Sequence, residues 1–455
     1  MGNTLANLAG LLFFFQGGDP ALVKQLTLPN GLPMSHYQLE NGLKVYVVEN
    51  HAAPVFTYQA WVDVGSGDEK LDEKLNATGL AHLFEHMMFR GTPKYPDGEF
   101  DDVLTRNGVH DENATTWFDR TNYYESMPAD KLDLVMELEA DRLVNLVVDE
   151  DLLTTEKGAV VGELRMGLDD PDTVGHDALY AAAFTAHPYR YSTIGTEPEV
   201  TGFTVEQSNY FYKKYYQPQN VTLLLVGDLD PEKVAASARK FYGDIKSEPV
   251  KKPIRPSEPA QAAERKATIE HAQLIERKVF LGYHTPAAAH ADIPALWVAE
   301  AMLTTGQGSL LQQAWVNDGI ASQMSGTLDL FRDPGLLTLG ADLQSGKTAA
   351  HLAASLEAVL VKIQDKSFPL SAQVTRARNQ LLLAIYEQWD ENAALANFMG
   401  EFIATSGDPV KAFDLAAAVS RVTPAEVVRV VGQYLVPTNR TVIEMTPKAD
   451  LLGGK

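Results

Sequence analysis

Between Ser35 and Gly67 the apolar and β-branched residues fall in short runs. Leu43-Lys-Val-Tyr-Val-Val48 follows the turn residues Asn41-Gly42, and Val55 to Val64 follows a polar break. Runs of this length bounded by turn residues predict strand, turn, strand, strand, an antiparallel meander that opens the fold. The period then changes. Helical patterns are expected at about 76–90, 98–107, 130–147 and 150–168, the third carrying apolar residues at Leu132, Val135, Met136, Leu138 and Leu143. Strands mixed with runs of helices, without strict βαβ alternation, predict the α+β class.

A second pattern recurs at long range. Thr204, Tyr215, Pro218, Asn220 and Thr222 return as Thr423, Tyr434, Pro437, Asn439 and Thr441, each 219 residues on. Each copy reads as a helix, a tyrosine, a Pro-x-Asn turn and a strand. The chain is therefore expected to hold two homologous domains of about 220 residues, each a mostly antiparallel sheet covered by helices. From Ser247 to Pro259, four prolines in thirteen residues exclude a helix or a central strand and mark a linker. The expected division is a tail or signal remnant at 1–18, a first domain at 19–246, the linker at 247–262 and a second domain at 263–455.

Composition narrows the chemistry. The chain has 455 residues, too many for one core at roughly 150 residues per domain. Its longest wholly apolar runs, such as Leu11 to Phe15, fall far short of the roughly 18 residues of a membrane span. The net charge of −22 makes phosphate backbones and anionic membranes poor partners. Cysteine is absent, which removes disulfides, a thiolate nucleophile and Cys-based zinc sites, so any metal must be held by histidine and carboxylate. The N-terminal apolar stretch has no basic leader and no A-x-A cleavage site. Zero cysteine fits an extracytoplasmic bacterial protein and slightly favours a periplasmic over a cytoplasmic location.

The chemistry centres on His82-Leu-Phe-Glu85-His86. On a helix of 3.6 residues per turn His82 and His86 stack on one face with Glu85 beside them, so two imidazoles can share one metal ion. Glu85, not needed as a ligand, is then placed to take a proton from a water the metal activates. This is the reversed H-x-x-E-H order of the inverzincins. The same residues also occur on helices as solvated polar groups. A catalytic zinc site needs a third protein ligand. Glu156 and Glu163 stand seven residues apart on one helical face, where one could ligate and the other orient, a spacing equally common on solvated helices.

The stretch Gly79-Leu-Ala-His82-Leu-Phe-Glu85-His86-Met-Met-Phe-Arg-Gly-Thr-Pro-Lys-Tyr95-Pro strongly resembles the zinc-binding region of the pitrilysin-like (M16) peptidases, the family of insulin-degrading enzyme and the mitochondrial processing peptidases. The length and two repeats resemble the short bacterial (M16B-like) members. The resemblance implies a zinc metalloendopeptidase of unfolded peptides or short polypeptides, with Zn²⁺ as cofactor and the first domain catalytic. It implies Glu163, with 76 residues between it and His86, as third ligand beside His82 and His86. It also implies Glu85 as the base and Glu156 as the auxiliary catalytic glutamate. Glu112-Asn113-Ala114-Thr115-Thr116 resembles the family's edge strand, which pairs with extended substrate, so Asn113, Ala114 and Thr116 are implied as substrate-binding residues. His187-Pro188-Tyr189 ahead of Ile194-Gly195 resembles another family stretch, with a structural role expected for His187.

The second copy has no H-x-x-E-H. Gly306-Gln-Gly308-Ser-Leu resembles the family's Gly-rich loop, with a helix-entry turn as the plain reading. The family's long members carry four repeats, and their distal half supplies an arginine and a tyrosine to the site. Around Gly335 to Gly340 this chain has only glycine, leucine and threonine. It is thus expected to be one half of a clamshell, completed by a second M16-like subunit that lacks the zinc motif (a heterodimer), with a homodimeric processing peptidase as the alternative. A catalytically silent scaffold subunit is the contrasting reading, and the full set of His82, Glu85, His86, Glu156 and Glu163 argues against it.

Overall fold

The computed structural model describes residues 20–448, so the expected tail at 1–18 lies outside the described residues. Two mixed sheets form the framework. The first holds β1 (Ala21–Thr27), β2 (Pro33–Gln38), β3 (Lys44–Glu49), β4 (Val55–Val62), β5 (His110–Thr116), β6 (Thr121–Pro128) and β7 (Val221–Gly227), in the order β1-β2-β3-β7-β4-β6-β5. The second holds β8 (Arg265–His271), β9 (Lys278–His284), β10 (Ala321–Leu328), β11 (Leu336–Leu343) and β12 (Arg440–Pro447), in the order β10-β11-β9-β12-β8. Each has a single parallel pair, β3 with β7 and β12 with β8. The fold is α+β with mostly antiparallel sheets, as expected from the chain.

The opening meander is interrupted. β2 and β3 are antiparallel neighbours, but β7 inserts between β3 and β4 from more than 150 residues away. β7 reads Val-Thr-Leu-Leu-Leu-Val-Gly and is buried along its whole length. A strand apolar on both faces needs cover on both, which only a central position gives.

Helices α1 (Leu80–Met87), α2 (Glu99–Arg106), α3 (Leu132–Asn145), α4 (Glu150–Asp169), α5 (Pro171–Ala183), α6 (Glu197–Gly202), α7 (Val205–Tyr215) and α8 (Pro231–Tyr242) belong to the first half. The second half adds α9 (Ile293–Thr304), α10 (Ala349–Gln364), α11 (Leu370–Glu387), α12 (Asn392–Ser406), α13 (Lys411–Ser420) and α14 (Pro424–Tyr434). The recurring residues do the same work twice. Thr204 and Thr423 each close a capping box at the start of α7 and α14. Asn220 Nδ2 donates to Tyr215 O at 2.8 Å, and Asn439 Nδ2 to Tyr434 O at 2.8 Å. The two tyrosine hydroxyls donate to Asp72 and Asp292 respectively.

The halves exchange helices. α5 packs on β9 and β12 of the second sheet, and α12 packs on β4 and β7 of the first. Two glycines permit the close approach: a Cβ on Gly400 would stand 2.0 Å from the Trp61 ring, and one on Gly175 2.0 Å from the Phe280 ring. Residues 245–262 contain no helix or strand, yet they are pinned. The buried Arg255 guanidinium pairs with Asp68 at 2.9 Å, with Asp333 at 3.0 Å and with Asp119. The first sheet, and the site on it, therefore rest on a scaffold that both halves build.

Candidate metal centre

α1 starts at Gly79, whose φ of 95° lies in the left-handed region. A Cβ there would meet Ile194 O at 2.4 Å, and one on Gly195 would meet Thr78 O at 2.4 Å, so the two glycines are packed backbone to backbone. This accounts for Gly195 in the stretch that begins at His187. The free amides of the first turn are taken by Glu69, which accepts from Leu80 N at 3.0 Å and Ala81 N at 2.6 Å. Leu80, Leu83, Phe84 and Met87 are buried, with Phe84 stacked among Phe211, Tyr212 and Tyr216. That fixes the rotation of α1 and turns His82 and His86 toward α4.

α4 is capped by Asp149, which accepts from Leu152 N at 2.9 Å, and is locked by Leu153, Val160, Val161 and Leu164. Its Glu163 Oε2 lies 3.5 Å from Nε2 of both His82 and His86. Ligand atoms about 2.0–2.2 Å from a tetrahedral zinc lie roughly 3.3–3.5 Å from one another, so this donor set fits the ion. His82, His86 and Glu163 are the one group of metal-ligating side chains, among the described residues, whose ligand atoms converge within 4.8 Å.

Glu156, 2% exposed, does not face that point. Its Oε2 lies 3.2 Å from His86 Nδ1, and its carboxylate also pairs with Arg90. A proton held on Nδ1 by this contact leaves the Nε2 lone pair free toward Glu163. Burial works to raise the Glu156 carboxyl, but the His86 hydrogen bond and Arg90 outweigh it and hold it below its ordinary value. Burial, and then His86, lower His82 to about 4, so it is a neutral ligand at pH 7. For His86 burial works downward, and the Glu156 hydrogen bond with the Glu163, Glu85 and Glu156 charges turns the balance upward.

Glu85 is 9% exposed and sits between α1 and β5. Burial raises its carboxyl, while a hydrogen bond with Thr116 and the charges of His86 and Arg120 work against the rise. One oxygen, Oε2, is buried without a hydrogen-bond partner. A cavity of about 590 Å³ opens over His82, Glu85, His86 and Glu163, walled by Asp101, Glu112, Asn113 and Ala114.

β5 is the edge of its sheet, with one side paired to β6 and the other open. The side chains of Ala114 and Thr116 are buried toward α1, and Asn113 Oδ1 accepts from Ala114 N at 2.8 Å. What this strand offers a peptide is therefore backbone amides and carbonyls rather than side chains. The sequence pattern did not point to Glu69, Arg90 or Arg120. Glu69 caps a helix eleven residues downstream, and Arg120 acts on Glu85 through its charge from the turn after β5, relations with no local signature.

Away from this centre, His187 is buried, caps the turn at Pro188 and lies 3.4 Å from Asp333, a structural role. Gly306, with φ of 76°, starts the turn into a π-helical segment at Gln312–Asn317. Residues 336–340 lie in β11. The nearby Arg332 donates to Ala404 O at 2.7 Å and pairs with Asp63, which holds it between the two halves. No helix among the described residues is long and apolar enough to cross a membrane.

Residues 44–197 match the family profile described as insulinase (peptidase family M16), and residues 202–381 match the profile described as the peptidase M16 inactive domain. The zinc protease PqqE of Helicobacter pylori is 27% identical over 428 residues, 93% of this chain and 93% of that protein. A probable mitochondrial-processing peptidase subunit beta of Arabidopsis thaliana is 25% identical over 429 residues, covering 91% and 78%. Among solved structures, a protease from H. pylori superposes with a TM-score of 0.85 at 26% identity, covering 91% of this chain and 99% of that one. The periplasmic protease PqqL of Escherichia coli superposes with a TM-score of 0.75 at 19% identity, covering 94% of this chain but 48% of that one.

Proposed function

The chain belongs to peptidase family M16, and from this premise we propose that it is the catalytic half of a two-part endopeptidase acting on unfolded peptides or short polypeptides. It is a zinc metallopeptidase, with Zn²⁺ as its cofactor. The observation that carries the finer reading is the convergence of His82, His86 and Glu163 beside an open sheet edge. When bound, zinc supplies a Lewis acid that brings the pKa of a water toward neutrality and polarises a carbonyl. The rest falls to the chain. Glu85, buried and raised, takes the proton of the attacking water and returns it to the leaving amine. Glu156 and Arg90 keep the His86 ring in one tautomer and one orientation. The open edge of β5, at Asn113, Ala114 and Thr116, receives the substrate as an added strand, which reads backbone without reading sequence and favours chains that are not folded.

In this reading residues 19–246 are the catalytic part, 263–455 the non-catalytic part and 247–262 their connection. The missing half is a second M16-like chain without the zinc motif. Arg332 is engaged between the halves and β11 offers no arginine at 335–340, so an arginine for the developing oxyanion has to come from outside this part of the chain. The E. coli protease is about twice as long as the part of it this chain matches. A periplasmic or otherwise extracytoplasmic location goes with the absence of cysteine. The test is cleavage of a pool of unstructured peptides, read by mass spectrometry, with Glu85→Gln as the blank. Weak cleavage that rises sharply when a companion M16-like chain is added supports the two-part enzyme. Full turnover by the single chain, second order in its concentration, replaces it with a homodimer.

A further inference from the structure

A second large cavity, of about 640 Å³, lies on the face of the first sheet opposite the metal centre. That volume falls in the range of roughly 300–1,000 Å³ typical of ligand sites. Its walls are Trp297 of α9, Leu381 of α11 and Phe398 and Phe402 of α12, and its rim is Trp117 and Arg120 in the turn between β5 and β6. The walls are mostly apolar, and the charged groups among the lining residues, Arg120, Asp329 and Glu401, have partners. Arg120 pairs with Glu401 at 2.7 Å, and its guanidinium lies 5.3 Å from the Trp61 ring centroid. Trp117 is 38% exposed, a large aromatic left partly in water at the mouth of an apolar hollow.

The two cavities lie on opposite faces of the sheet and are related through β5 and the turn that follows it. Ala114 lines the metal cavity and points toward α1, whereas Trp117, three residues on, lines this one. Three residues along a strand span about 10 Å and reverse the side-chain direction. The cross-strand row Thr115–Asn122–Trp61 identifies the reversed face as the one α12 covers. A peptide added to the open edge of β5 has the same alternation, so when one of its residues stands at the metal, a residue an odd step away is aimed at this hollow.

We propose that this cavity is a specificity pocket of the peptidase, taking a large aliphatic or aromatic side chain of the substrate three residues from the scissile bond. The proposal rests on β5 as the substrate strand. The occupant is apolar because Trp297, Leu381, Phe398 and Phe402 form the walls, while Arg120 pairs with Glu401 and Asp329 is held by the Tyr180 hydroxyl.

The test uses the full chain carrying Glu85→Gln, which leaves peptides intact, and labelled peptides that differ only by Phe or Ala at the position in question, titrated by fluorescence anisotropy. The Phe peptide is expected to bind about tenfold or more tighter, the effect of burying one large side chain. Ala384→Trp, added on an exposed position of α11 that lines the pocket, is expected to bring the two peptides within about twofold of each other, as the indole would compete with the substrate side chain for the apolar walls. Leu383→Trp, one residue away and 59% exposed outside the pocket, is the control and is expected to leave the ratio unchanged. Equal binding of the Phe and Ala peptides, binding of neither, or a ratio that survives Ala384→Trp overturns the pocket. A wild-type zinc-loaded chain that cleaves neither peptide, alone or with a companion, speaks instead against the peptidase reading, and is scored separately from the binding ratio.

Discussion

His86 Nδ1 and Glu156 Oε2 stand 3.2 Å apart, and this contact decides which ring nitrogen of His86 faces Glu163. Glu156 lies in the wall of the metal cavity but outside the converging ligand group, and its contacts are to His86 and Arg90, which makes it a positioning residue. Glu156→Ala is expected to weaken zinc binding about 10–100-fold. Glu156→Gln, which keeps an oxygen at Nδ1, should recover much of that loss. Competition with a chelating dye measures both, and equal affinity in Glu156→Ala and wild type would remove the orienting role.

Glu163 is the one carboxylate among the three converging residues, and it comes from a different helix than the two histidines. Glu163→Gln is expected to lower zinc affinity by more than Glu156→Gln does, since it alters a ligand and not a ligand's neighbour. Dialysis against graded zinc with metal analysis gives the comparison. Full zinc affinity in Glu163→Gln would place the third ligand elsewhere.

The glycine pair under the exchanged helices makes a stability prediction whose sign is informative. Alanine in place of glycine inside an exposed helix gains about 1 kcal/mol. Gly400→Ala instead drives a Cβ to 2.0 Å from the Trp61 ring, and Gly175→Ala to 2.0 Å from Phe280. Each is expected to destabilise the protein by about 1–3 kcal/mol, read as a lower urea midpoint. A gain in stability in either variant would mean the helices sit further from the sheets than described.

Glu112 faces the metal cavity beside Asp101, and burial followed by the Asp101 charge pushes its carboxyl up to about 7, against the pull of Arg142. A raised carboxyl is neutral below that pH and charged above it. The cavity therefore gains negative charge as pH rises through about 7, and KM for peptides with lysine near the cleavage site should fall relative to KM for neutral peptides between about pH 6 and 8. Glu112→Gln should flatten that ratio. For folding the sign is opposite: stability from this group is complete below its ordinary value of 4.5 and is lost as pH rises through about 7. A KM ratio with the same pH profile in Glu112→Gln and wild type would contradict the assignment.

Much of this was readable from the chain because its signals are local. The helices that carry His82, His86, Glu156 and Glu163 follow from 3.6-residue periodicity, and the 219-residue recurrence reflects capping threonines and turn asparagines that make the same bonds in both halves. The insertion of β7 between β3 and β4, and the exchange of α5 and α12 between sheets, were not readable. They depend on which apolar faces meet at separations of well over a hundred residues, and spacing along the chain carries no record of that. The pocket behind Trp117 is hidden for the same reason, since its walls come from α9, α11 and α12 and its rim from β5 and β6.

Glu85→Gln separates holding the metal from moving the proton. Zinc content per chain and cleavage of unstructured peptides are measured on the same preparation. With Glu85 as the base, zinc is expected to bind as in the wild type while cleavage falls by about 10²-fold or more. Loss of zinc, or turnover close to that of the wild type, would contradict that role.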